Sequence, residues 1–172
     1  YHYPRVDYVI DAADLSLTRH LTIEPATRVA WEVGGTVKIT AGSGGEIDIL
    51  GTPSPGLFVE FFSVNASGDQ AENPVAPDYD GVVISSAAER DSQVTGLRVR
   101  HAEAGVVVQG NRLFHPSANN QFIDCYVGCS FSAGSAYSVA GDVMNNLFLR
   151  GDFSLGISGL DATRVDMAVE GN

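Results

Sequence analysis

The chain has 172 residues, 44% of them hydrophobic, which suits one domain with a sizeable core and counts against disorder. Ten Lys and Arg stand against 21 Asp and Glu, giving a formal net charge of −11; a phosphate backbone or an anionic membrane surface would repel such a chain, so no nucleic-acid partner is expected. No apolar run approaches the roughly 20 residues of a spanning helix, so no membrane insertion is expected either, and the 19 glycines favour short strands broken by turns.

Residues 1–20 read as a lead-in or cap. Val6, Tyr8 and Ile10 alternate with Asp7, Val9 and Asp11, and Leu15 and Leu17 follow, which predicts one or two strands feeding the regular part. The chain starts at Tyr1 with no visible signal peptide, as a processed piece of a longer polypeptide would. Three strands come next: Leu21–Glu24 closed by Pro25, Thr36–Thr40 with Val37 and Ile39 on one face, and Glu46–Leu50 with Ile47 and Ile49 inward. Their period of two means one buried and one solvated face. Leu57–Val64 is nearly all apolar, as in a strand packed on both faces. A polar stretch, 65–80, is the longest loop candidate. Its Asp78 and Asp80 are weak metal candidates, calcium being the ion that such carboxylates take, but the EF-hand spacing is missing and no other cofactor is indicated.

From Gly81 onward a short strand recurs: 96–100, 122–127, 146–150 and 164–169. Coils of about 20–26 residues are the signature of a solenoid. Superposing the copies on Leu97, Ile123, Leu147 and Val165 turns Ile123, Cys125, Leu147 and Leu149 inward. It predicts an outer row of Arg98, Asp124, Phe148 and Asp166, and a second of Arg100, Tyr126, Arg150 and Ala168. With strands about 4.8 Å apart, Arg98 would pair with Asp124, and Tyr126 would lie between Arg100 and Arg150 in cation–π contact. Asn119, Asn120, Asn145 and Asn146 precede matched strands and would form an amide ladder at one corner. Cys125 and Cys129 are four residues apart, about 13 Å along a straight strand, so an unbridged pair with Cys125 as a core thiol is expected.

These signals predict an all-β single domain over 1–172, a right-handed parallel β-helix. The alternative, an antiparallel β-sandwich, would call for Asn-Gly or Asp-Gly hairpins; the chain has no Asn-Gly, and Asp80-Gly81 stands at a strand start.

The run Leu21-Thr-Ile-Glu-Pro-Ala-Thr27, followed by Gly35-Thr-Val-Lys-Ile39 and by Ile47-Asp-Ile-Leu-Gly-Thr52, resembles the opening of secreted bacterial right-handed parallel β-helix repeat proteins of the pectate-lyase-like superfold. Asp80-Gly-Val-Val-Ile84 is similar to a later strand of that family. Ala26 and Val82 depart from the pattern, each standing where the family has glycine. The resemblance implies an extracellular or cell-surface location and an adhesive, scaffold or carbohydrate-associated role.

Residues for catalysis are sparse. Glycoside hydrolysis needs two carboxylates about 5–9 Å apart, yet Asp78 and Asp80 lie in a loop and Asp124 and Asp166 fall two coils apart. His2, His20, His101 and His115 are isolated in sequence, without metal-ligand spacing. The expected function is therefore an extracellular structural, adhesive or self-assembling module without catalytic activity. Its last strand, Val165–Val169, would offer an open coil for self-association or a downstream domain. The rival expectation is a carbohydrate-active β-helix that binds or cleaves a polysaccharide along Arg98, Arg100, Asp124, Tyr126 and Arg150.

Overall fold

A computed structural model describes residues 6–10, 15–32, 39–64, 79–85, 92–109, 113–133, 139–159 and 165–170. These form 18 strands in six successive turns of chain. The first coil holds β1 (Tyr8–Ile10), β2 (Leu15–Leu17) and β3 (His20–Ile23), and the second β4 (Arg28–Glu32), β5 (Ile39–Ala41) and β6 (Glu46–Leu50). The third holds β7 (Val59–Val64), β8 (Tyr79–Ile84) and β9 (Gln93–Thr95), and the fourth β10 (Leu97–Arg100), β11 (Ala102–Gln109) and β12 (Leu113–Ala118). The fifth holds β13 (Gln121–Ile123), β14 (Val127–Ala133) and β15 (Val139–Met144), and the sixth β16 (Leu147–Leu149), β17 (Phe153–Gly159) and β18 (Val165–Glu170).

Each strand pairs in parallel with the strand three before it and the strand three after it, the end strands of the first and last coils having one such partner, so three six-stranded sheets run along the molecule. This is a right-handed parallel β-helix, the hand that parallel crossovers take. Parallel pairing throughout the described residues rules out the antiparallel sandwich. Each coil has three faces, the third being β3, β6, β9, β12, β15 and β18. Coils of the expected size run from Arg98 to its partner Gln121 and from Gln121 to its partner Leu147. The coil from Ile39 to its partner Val82 is larger, because long segments join its strands.

Corners are made by residues in the left-handed backbone region. Gly96, Asn119 and Asn145 (φ 58°, 57° and 53°) occupy one corner in successive coils, and His101, Asp124 and Arg150 (φ 61°, 55° and 56°) the next. Glycine and asparagine take this conformation most easily, and aspartate and histidine more readily than most, so the residue least suited to its corner is Arg150. Ala26, where the resembling family has glycine, also has a positive φ of 65°.

The lumen is filled by apolar side chains, with aromatic rings stacked at two levels. Trp31 stacks on Tyr79 with centroids 4.6 Å apart, and Phe61 tilts against the same indole at 4.6 Å. Phe122 and Phe148 stack at 5.3 Å. β7 is packed on both faces as its composition predicts: Val59 and Phe61 face the lumen, and Phe62 lies outside under Ala30 and Val6. Ile47 and Ile49 are fully buried, as expected.

The register corrects the sequence alignment. Val99 pairs with Phe122 and Phe122 with Phe148, so Leu147 and Leu149 point outward, 49% and 40% exposed. A one-residue slip reverses the faces of a strand. The fourth copy of the repeat, in β18, belongs to the third sheet and pairs with β15, so Asp166 and Ala168 share no row with Arg98. The Asn corner is as expected: Asn120 and Asn146 are buried and bonded from coil to coil, while Asn119 and Asn145 form the bend. Asp78 and most of the 65–80 stretch lie outside the described residues; Asp80 contributes backbone to β8.

Candidate functional site

Outward-facing residues of the first sheet build one row, polar from Arg28 through Glu60 and Arg98 to Gln121 and ending on Leu147, each the register partner of the next. Glu60 bridges two arginines, with Arg28 Nε 2.8 Å from its Oε2 and Arg98 Nη1 donating to its Oε1 at 2.8 Å. Arg98 Nε then donates to Gln121 Oε1 at 2.8 Å. Both arginines of the row are fixed by rings, since Arg28 lies over Phe62 at 4.8 Å and Arg98 over Phe58 at 4.4 Å. A guanidinium desolvated on an aromatic face and held by two acceptors, as Arg98 is, keeps one orientation.

Phe58 comes from a corner segment, residues 51–58, that stands beside this row. Its own turns brace it: Thr52 N–H donates to Leu57 O at 3.0 Å, Leu57 N–H to Ser54 O at 3.0 Å, and Gly56 takes φ 76°. Between this wall and the sheet lies a cleft of about 410 Å³, lined by Pro53, Pro55, Gly56, Phe58, Arg98, Asn119, Asn120, Gln121, Asn145 and Leu147. No carboxylate, histidine, hydroxyl or thiol is among these lining residues. The cleft thus offers amides, one guanidinium and apolar surface, which suits binding and leaves no general acid or nucleophile among the described residues that line it.

The five residues expected to share a site fall into two groups. Arg98 and Arg100 lie on the outer face of the first sheet, and only Arg98 lines the cleft. Asp124, Arg150 and Tyr126 lie at and beyond the next corner. Arg98 does not pair with Asp124; it pairs with Glu60 and Gln121, its partners in register. Asp124 instead receives two hydrogen bonds of 2.6 Å from Nε and Nη2 of Arg150, one coil on. Those bonds hold its carboxyl below the usual carboxylate range; slight desolvation opposes, and the charges of Arg150, His101 and Arg100 assist. Tyr126 makes no cation–π sandwich; its exposed ring meets Phe153 edge-on at 5.5 Å.

Cys125 and Cys129 are free thiols buried in the lumen, as expected. Burial pushes them up to about 11 and about 12, respectively. His20, isolated in sequence, is not isolated in space: its Nε2 lies 2.8 Å from Asp48 Oδ2 and 3.8 Å from Glu46 Oε1. His20 and Glu46 stand one coil apart as register partners, and that spacing is the signal which a search along single strands misses. Phe58 and Gln121 were likewise missed, although Gln121 stands one coil beyond Arg98.

No protein-family model matches this chain, and comparison with curated proteins and with solved structures gives no match.

Proposed function

We propose that this chain is a non-catalytic β-helix module that binds a polysaccharide in the cleft over its first sheet. The observation that carries the reading is the cleft itself, whose floor of Arg98, Gln121 and Leu147 and wall of Phe58 match what a sugar chain asks for. Its hydroxyls take amide and guanidinium partners, and its apolar ring faces take hydrocarbon. Glu60, the carboxylate that Arg98 holds beside the cleft, is neutralised by two arginines, which supports a binding role over hydrolysis. With the sequence resemblance, the reading extends to an extracellular or cell-surface setting. A glycan array with wild type, Arg98→Gln and Leu147→Glu tests it. Binding to a sugar polymer that both variants lose is expected; an array on which wild type binds nothing, or binding untouched by either variant, would refute it.

A second reading, self-association, is favoured by the exposed apolar side chains Leu147, Leu149, Tyr126 and Phe153 near the last coils. Light scattering decides it: a strictly monomeric chain at all concentrations sinks this reading, and a dimer dispersed by Phe153→Glu supports it.

A further inference from the structure

We propose that His20, Glu46 and Asp48 form a binding site for one divalent first-row transition metal ion of the zinc class, on the outer face of the third sheet. β3 and β6 pair with His20 opposite Glu46 and Thr22 opposite Asp48. Ile47 and Ile49 fill the lumen, so the alternate residues Glu46 and Asp48 project from the same outer face as His20. Two successive coils therefore supply the ligands, His20 from the first and Glu46 and Asp48 from the second.

The donor atoms already converge. One nitrogen or oxygen from each of the three side chains falls within a group whose members are all within 4.8 Å of one another. In a tetrahedral zinc centre with bonds of about 2.1 Å, ligand atoms are about 3.4 Å apart. The His20 Nε2 distances of 2.8 Å to Asp48 and 3.8 Å to Glu46 lie either side of that value. An ion would be seated by small side-chain shifts, with no change in the strands. The two acid side chains are only 13% exposed, so their rotamers are held against the sheet, whereas His20 is 43% exposed and leaves the site open to solvent. Thr22 Oγ1, 3.3 Å from the same nitrogen, borders the fourth position.

The donor set selects the ion. One imidazole nitrogen with two carboxylates suits zinc and its transition-metal neighbours; calcium and magnesium prefer oxygen alone and in greater number. On binding, Nε2 turns its lone pair to the ion and the neutral ring carries its proton on Nδ1, so metal–ligand bonds replace the hydrogen bond between Nε2 and Asp48. The ion would tie the first coil to the second. This proposal is independent of the polysaccharide cleft, which lies on a different sheet.

Isothermal titration of the metal-free full chain with zinc chloride, in a non-chelating buffer, tests it. One ion per chain is expected, with affinity at least tenfold weaker in both His20→Gln and Asp48→Asn, and with calcium chloride binding more weakly than zinc. Cobalt in place of zinc should give visible absorption bands in wild type and none in His20→Gln. Far-UV circular dichroism confirms that each variant is folded, and Glu46→Gln stands in for any that is not. Absence of zinc binding, affinity unchanged within twofold in the variants, or tighter binding of calcium would each overturn the proposal.

Discussion

Asn146 reaches one coil back to Asn120. Its Oδ1 accepts the backbone N–H of Asn120 at 2.9 Å, as Asn120 Oδ1 accepts that of Leu97 at 2.8 Å. Asn120 Nδ2 meanwhile donates to Val94 O and Ser117 Oγ, each at 3.1 Å, so one buried side chain satisfies backbone groups on two strands. Asn120→Ala leaves several buried polar groups without partners, each costing about 1–3 kcal/mol. A loss of about 3 kcal/mol in unfolding free energy is expected, read from urea denaturation. A change below about 1 kcal/mol would mean that water replaces the amide.

Gly105 and Gly128 are the places where the lumen admits the Phe122–Phe148 stack. A methyl on Gly105 would lie 2.5 Å from the Phe122 ring and 2.7 Å from Gly128 O, and one on Gly128 would lie 2.5 Å from the Phe148 ring. Gly105→Ala should therefore destabilise by about 2 kcal/mol, the usual cost of overpacking. Adding Phe122→Leu should restore part of the loss, because the ring yields and the carbonyl does not. Thermal unfolding of the single and double variants checks it.

The two lumen thiols make alkaline stability a readout of the core. Their folded values of about 11 and about 12 lie above the ordinary 9.0, so between these limits the unfolded chain loses protons that the folded one keeps. Their contribution should be complete below pH 9 and fall as pH rises from 9 towards 11–12. In native protein at pH 8, Ellman's reagent should find almost no thiol, and in denaturant it should find two. Cys129→Ala and Cys125→Ala should each flatten the alkaline slope.

Asp124 works in the opposite direction. Its folded carboxyl titrates below 3.8, chiefly through its hydrogen bonds to Arg150, so its contribution is present above pH 3.8 and is lost as pH falls through the folded value. In Arg150→Gln the carboxyl should return to the ordinary range, as read by NMR titration, with little change in stability at pH 7 because the pair is exposed. An Asp124 carboxyl that stays low in the variant would assign the effect to His101 or Arg100 instead.

The architecture was legible in the chain because glycine corners, period-two strands and one-coil spacings are all local signals. The register was also legible, in the asparagines rather than the aliphatics. Asn120 and Asn146 stand one coil apart, as do Phe122 and Phe148, whereas the chosen pair Ile123 and Leu147 is spaced closer than one coil. Buried amides fix a register because a slip strands their hydrogen bonds; an exposed Leu at an outer position misleads because its apolarity carries no direction. The cleft was less legible. Its floor depends on the corrected register, and its wall depends on how residues 51–58 fold over the sheet, which no periodicity reports.

The enlarged coil from Ile39 to Val82 carries a consequence for how the chain can change. Closing a loop costs entropy only as the logarithm of its length, so each doubling adds only about 0.6 kcal/mol. The stretch from Ile39 to Val82 is less than double the next one, from Val82 to Val106, so its extra length costs less than that. Segments between strands can therefore lengthen or be exchanged at small expense while the stacked rows keep their partners. The wall that shapes the cleft is one such segment. New ligand specificities are thus open to this scaffold by insertion at its corners, with the asparagine ladder and the glycine-lined lumen left untouched.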